Sequence, residues 1–215
     1  LLISNLLSVC WGIANVLYLV SVIKMGAALS GAILSALGMS VGIIIPMVLK
    51  GSGLFSNAPD LMSDAGIFII TGLAVVIIGV ILVIIAGKGR EKALGANGNS
   101  ENRSSGSFVQ GLMLIIPSGI LSCGLSLAFV YSQGPVIEAV KQQGAGEITA
   151  NFTVWALGIV GGALINILYP AYLMTRKKTW SVLFSRKDEI LYGTIGGIQF
   201  ILSVVFMGRG MVLLG

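Results

Sequence analysis

The chain has 215 residues, of which 56% are hydrophobic and 10% charged, and its mean hydropathy is +1.00. A water-soluble domain carries about 25% charge, whereas four runs of about 20 residues here carry none, which excludes a soluble globular fold and implies a polytopic membrane protein. The net charge of +5 lies in the segments between apolar runs, as membrane topology requires, so no nucleic-acid partner is expected. There is no histidine, and both cysteines, Cys10 and Cys123, sit inside apolar runs. No metal site, cofactor, disulfide framework or Ser-His or Cys-His set is therefore expected, and no enzyme.

Segment a runs over about Leu1–Ile23, and Lys24-Met25-Gly26 turns the chain into segment b, about Ala27–Leu49. Lys50–Asp64 has loop chemistry throughout. Segment c, about Ala65–Ala86, leads into Gly87–Ser107, which is charged and rich in Gly, Asn and Ser and reads as a flexible linker. Segment d, about Phe108–Ser132, precedes a polar stretch, Gly134–Thr149, in which Pro135–Val140 suggests a short interfacial helix. Segment e covers about Asn151–Met174, a basic loop covers Thr175–Asp188, and segment f covers about Glu189–Met207. The expected fold is all-α, a membrane bundle of about six transmembrane helices. The chain opens inside one apolar run and closes, at Met211–Gly215, on what reads as the start of another, so a piece of a longer protein is expected.

Orientation follows from the cations. Ten of the thirteen Lys and Arg fall between segments a and b (Lys24), c and d (Lys88, Arg90, Lys92, Arg103) and e and f (Arg176, Lys177, Lys178, Arg186, Lys187). The remainder are Lys50, Lys141 and Arg209. Positive charge favours the cytoplasm, so loops 87–107 and 175–188 are expected there, in a multi-pass protein of the cytoplasmic (inner) membrane. One internal similarity stands out. Tyr18-Leu-Val-Ser-Val-Ile-Lys-Met-Gly26 and Phe200-Ile-Leu-Ser-Val-Val-Phe-Met-Gly208 share an aromatic, Ser, Val, Met and Gly in register. Two apolar helices can match by chance. A true repeat would be five helices long, and an odd number inverts the second copy, as in inverted-topology transporters.

Trp11-Gly-Ile-Ala-Asn15-Val-Leu-Tyr18, Met25-Gly26, Gln110-Gly-Leu, Gly124-Leu-Ser126, Gln133-Gly-Pro135-Val-Ile-Glu138-Ala, Gly161-Gly-Ala-Leu-Ile-Asn166 and Gly196-Gly-Ile-Gln-Phe200 occur in one order over nearly the whole chain. Together they resemble the L-rhamnose–proton symporter family of the drug/metabolite transporter superfamily. The resemblance implies a ten-helix protein of two inverted five-helix repeats, of which this chain holds helices three to eight. Residues 1–86 would then be the last three helices of the first repeat, 87–107 a cytoplasmic linker, and 108–215 the first three helices of the second. The implied function is import of a small sugar such as L-rhamnose by ion-coupled symport and alternating access, with H+ or Na+ as partner ion.

A sugar site needs hydrogen-bonding groups and flat aromatic faces in a preformed cavity. Neutral amides and hydroxyls supply these without burying charge. Trp11, Asn15 and Tyr18 share a helix face, as do Ser118, Ser122 and Ser126, with Pro117 beside them. Asn166 lies deep in segment e, in line with Trp155, Gly158, Gly162 and Tyr169, and Gln199 lies deep in segment f. All are substrate-contact candidates, and all could equally serve as hydrogen-bonding glue between helices. Gly31, Ser35, Gly38 and Gly42, with Pro46 beyond them, and the pair Gly158 and Gly162 are candidates for close packing or gating. No carboxylate lies deep in a segment, although proton coupling normally uses one. Glu138 matches an acidic position of the family pattern and is the one coupling candidate, against the alternative of a solvated helix face. A drug or metabolite exporter, and a non-transporting receptor or assembly component, are the competing readings.

Overall fold

A computed structural model describes residues 1–50, 58–96 and 106–214, and among these there is helix and no strand. The helices are α1 (Leu2–Met25), α2 (Ala27–Val48), α3 (Asp64–Ala96), α4 (Gly106–Ser122), α5 (Gly124–Gln142), α6 (Glu147–Gly158), α7 (Val160–Lys177), α8 (Trp180–Ser185) and α9 (Lys187–Leu214). α1 is the central post. It packs on α2, α4, α5 and α7, while α3 lies against α2 and α9 against α6. The reversal between α1 and α2 needs a single residue, Gly26, at φ 94°, a conformation that glycine alone adopts without strain.

Burial on α1 is the inverse of a water-soluble helix. Ser4, Ser8, Gly12, Ala14 and Ser21 are buried, whereas Leu2, Leu6, Leu19 and Ile23 are exposed. In lipid the large apolar side chains lose nothing by facing outward, and small residues let helix backbones approach closely. α3 shows the lipid-facing extreme, with Ile67, Phe68, Val75, Ile78 and Leu82 exposed along its length. Apolar packing holds the remainder: Met25, Ile33, Phe108 and Ile115 form one cluster, and Phe129, Val136, Val154 and Trp155 another.

Leu2–Met25, Ala27–Val48, Asp64–Arg90 and Phe108–Gln142 are each long and apolar enough to cross a membrane. α6 and α7 make a fifth span if taken together, bent by 44°. The described residues thus provide four or five candidate spans, in keeping with the expected all-α polytopic bundle. Segment f forms α9, but most side chains of its last turns lie outside the described residues. Charge marks the two ends of the bundle. Lys24 donates to Gln110 at 2.7 Å and Arg90 reaches the turn at Gly26. α7 runs parallel to α1, Asn5 meeting Gly161 and Gly12 meeting Ile165, so Arg176, Lys177 and Lys178 lie towards the Lys24 end. The ion pairs Lys50–Asp60 (3.0 Å) and Lys141–Glu147 (3.1 Å) belong to the opposite end.

Three expectations are corrected. Gly87–Ser107 is not linker throughout, because α3 continues to Ala96 and α4 begins at Gly106. Arg90, Glu91, Lys92, Ala93 and Leu94 are good helix formers and extend an existing helix past the apolar layer. Residues 97–105 lie outside the described residues. Segment d does not stop at Ser132 before a separate interfacial helix, because α5 runs unbroken through Pro135 to Gln142. Segment e is not one helix, because it parts at Ile159 into α6 and α7.

Candidate functional site

The break at Ile159 is built by α1. In an unbroken helix the Gly161 N–H would bond the Leu157 carbonyl, and the Gly162 N–H the Gly158 carbonyl. Neither bond forms here. Instead, the Gly161 N–H donates to Asn5 Oδ1 at 2.8 Å, and Asn5 Nδ2 donates to the Leu157 carbonyl at 3.0 Å. The Asn5 carboxamide therefore stands inside the missing rung, presenting an acceptor to its donor and a donor to its acceptor. Its second amide hydrogen goes to the Leu1 carbonyl at 3.1 Å. One helical turn on, the Gly162 N–H donates to Ser8 Oγ at 3.0 Å, and Ser8 Oγ donates to the Asn5 carbonyl at 2.9 Å. An unsatisfied backbone group in hydrocarbon costs several kcal/mol, so irregular backbone at membrane depth survives only where protein groups replace its bonds.

Glycines make this contact possible. A Cβ at Gly161 would collide with the Asn5 carbonyl, and one at Gly162 with the Ser8 carbonyl and the Trp11 ring. A Cβ at Gly12 would lie 2.8 Å from both the Gly162 carbonyl oxygen and Ile165 Cβ. Gly158 faces Ser4, whose hydroxyl donates to the Ala128 carbonyl at 3.0 Å and lies 3.3 Å from Ser132 Oγ.

The other expected residues are distributed unevenly. Ser118 is buried and donates to the Ala14 carbonyl at 2.6 Å, and Ser122 donates to the Gly119 carbonyl of its own helix at 2.7 Å. Ser126 is exposed. Gly38 and Gly42 line the α2 face against Ser122, Cys123 and Ser126, Gly31 lies beside the Tyr18 hydroxyl, and Ser35 is exposed. Pro46 sits inside the last turn of α2. Glu138 is exposed on the far part of α5, and Gln199 is exposed on α9. Trp11 is half-buried over Gly162 and stacks on Phe200, with ring centroids 6.2 Å apart and planes 15° apart. Asn15, Tyr18 and Asn166 are half-buried on α1 and α7, and no hydrogen bond is made by their side chains among the described residues. Trp155 is buried, stacked on Phe129 at 4.5 Å, with its Nε1 unpartnered.

A cavity of about 250 Å³ opens between the start of α1, α5 and α6, lined by Leu1, Tyr131, Pro135, Val136 and Leu157, with Ser132 as a polar exception. Ser132 spends its hydroxyl on the Ala128 carbonyl at 2.7 Å. None of the expected substrate residues lines this cavity, and an apolar wall is the wrong chemistry for a hydroxyl-rich ligand. The polar contacts of α1 divide between its two sides: Ser4 and Ser21 bond across to α5 and α4, from which Ser118 bonds back, Asn5 and Ser8 reach α6 and α7, and the Tyr18 hydroxyl lies beside Gly31 of α2. Sequence reasoning missed Ser4, Asn5, Ser8 and Ser21. The signal was available: Ser4, Ser8 and Gly12 repeat every four residues, the same spacing that singled out the serines of segment d. Among the described residues no group of acidic, Cys or His side chains could hold a metal, and no Asp or Glu is buried.

The L-rhamnose-proton symport protein family matches residues 1–213. The chain is 27% identical over 207 residues to the L-rhamnose-proton symporter of Yersinia pestis (strain Pestoides F), covering 93% of this chain and 57% of that protein. It is 25% identical over the same span to the L-rhamnose-proton symporter of Klebsiella pneumoniae subsp. pneumoniae, with the same coverage. The chain thus spans 57% of the length of the curated relatives it matches. No solved structure matches it. With its apolar helices and a match of that length, the chain is a multi-pass membrane protein and belongs to the L-rhamnose-proton symport family.

Proposed function

We propose that this chain forms the central helices of a secondary transporter that imports L-rhamnose together with a proton across the cytoplasmic membrane, and that it catalyses no chemical reaction. The observation that carries this reading is the family match over residues 1–213. The interior agrees with it in kind. Asn15, Tyr18 and Asn166 are half-buried neutral groups on two helices that pack together, and each Asn amide offers two donors and an acceptor to adjacent hydroxyls. Alternating access would arise by moving the two inverted five-helix repeats, joined between α3 and α4, against each other. The basic end of the bundle would face the cytoplasm. Proton coupling would use a carboxylate on the helices this chain does not include, or Glu138.

Uptake of labelled L-rhamnose into proteoliposomes holding the whole protein tests the reading. Accumulation driven by an inward proton gradient and abolished by a protonophore is expected. Absence of rhamnose uptake overturns the substrate, and uptake driven by Na+ but indifferent to pH overturns the coupling ion. Asn15→Ala should weaken rhamnose binding about tenfold, the worth of a hydrogen bond or two, without lowering the melting temperature.

A further inference from the structure

We propose that Asn5 is a positioning residue of the transport cycle: its carboxamide is a removable splice that holds the α6–α7 span bent, and its withdrawal lets the span straighten. This rests on the transporter reading only for its place in the cycle; the splice itself is a statement about geometry. An amide inserted between a backbone donor and acceptor exchanges one helical hydrogen bond for two side-chain ones. Both arrangements leave the Gly161 N–H and the Leu157 carbonyl satisfied, so this rung has two states of similar polar bookkeeping. Kinks in long helices arise where a side chain inserts into the i→i−4 ladder, and here the inserting group comes from another helix, 156 residues away in sequence. A bend set by a different helix reports that helix's position. When α1 moves away from α7, the amide leaves the rung, the Gly161 N–H finds the Leu157 carbonyl, and the 44° bend closes. The glycines at 158, 161 and 162 keep both shapes sterically open on the α7 side. Motion of α1 is thereby converted into rotation of one half of the α6–α7 span. Coupling of this kind needs an element with two discrete arrangements, and the spliced rung is one.

The test uses the whole protein in nanodiscs, spin-labelled at Ile148 and Tyr172, which are exposed on the two arms. At a 1.5 Å rise per residue, straightening a 44° bend lengthens that separation by about 3 Å. Asn5→Leu, which can no longer enter the rung, should shift the distance distribution to the longer value. It should also lower kcat about tenfold while leaving the rhamnose dissociation constant unchanged. Asn5→Gln keeps both hydrogen-bonding groups and should restore the short distance and most of the turnover. Asn5→Asp, which keeps only the acceptor, covers the case in which Asn5→Leu does not fold, and should populate both distances. An unchanged distance in both Asn5→Leu and Asn5→Asp overturns the splice. A raised dissociation constant with an unchanged distance overturns it too, and makes Asn5 a ligand contact. If the wild-type protein moves no rhamnose, the transporter reading fails, while the distance measurement still decides the splice.

Discussion

α1 uses the same kind of residue in two different ways on its two sides. Towards α4 and α5, hydroxyls donate to carbonyls of helices that are already complete: Ser21 to Gly111 at 3.0 Å, Ser4 to Ala128 at 3.0 Å and, in return, Ser118 to Ala14 at 2.6 Å. The carbonyl has a second lone pair, so these bonds add to the ladder without interrupting it. Towards α6 and α7, Asn5 and Ser8 accept from N–H groups that have no helical partner. An N–H has one hydrogen, so a bond to it replaces a rung. The first side is glue between continuous rods, and the second completes a rod that is broken. Removing a hydroxyl should therefore cost little on the first side and more on the second.

The largest expected effect breaks the close approach on which the second side depends. In Gly12→Val the new side chain meets the backbone carbonyl of Gly162 and Ile165 Cβ, and neither is the free end of a flexible side chain. Overpacking of this kind costs about 1–3 kcal/mol and occasionally more. The melting temperature in detergent should fall further than in Gly42→Ala, whose Cβ would sit at an ordinary 3.6 Å from Cys123. Equal losses would show that the α1–α7 contact is not the tighter seam.

Next comes Ser8→Ala. It leaves the buried Gly162 N–H without a partner, an omission worth about 1–3 kcal/mol. Gly162 should also lose protection against hydrogen exchange, whereas the residues of α4 should not. Retained protection at Gly162 would mean that the backbone closes its own rung when Ser8 is truncated.

How much of this was legible in sequence follows from the range of each interaction. The apolar spans were, because a lipid-crossing helix satisfies its backbone internally and needs only about 20 residues of local composition. The serine repeat on segment d and the glycines of segment b were visible as spacing, though not whether each faced a neighbour: Ser118 is buried and Ser126 exposed. The break at Ile159 was not legible. Gly158-Ile-Val-Gly-Gly162 reads as a small-xxx-small seam within one continuous helix, and what parts it is an amide on α1. The extension of α5 past Ser132 was missed for the opposite reason. Gly134-Pro135 looks like a breaker locally, yet a proline leaves the helix intact where neighbours hold the turn, and Val136 is buried against the Phe129–Trp155 cluster. Asn5 escaped notice because its neighbours Leu6 and Leu7 give it the look of a polar residue stranded near the start of an apolar run.

The smallest effect is the sharpest test of the contrast. Ser118→Ala removes a 2.6 Å hydrogen bond, the shortest of those that tie α4 to α1. Distance alone would rank it above the 3.0 Å bond from Gly162 to Ser8. The ranking reverses once the groups left behind are counted. Ala14 accepts through its second lone pair, so its carbonyl keeps the intrahelical bond and nothing buried is orphaned; interhelical side-chain bonds of this sort are worth about 0.6 kcal/mol in a bilayer. Ser118→Ala should accordingly lower stability by less than Ser8→Ala, and by an amount close to that average. Should Ser118→Ala prove the more damaging of the two, bond length rather than the fate of the abandoned partner would govern polar contacts in this bundle, and the distinction between the two sides of α1 would fall.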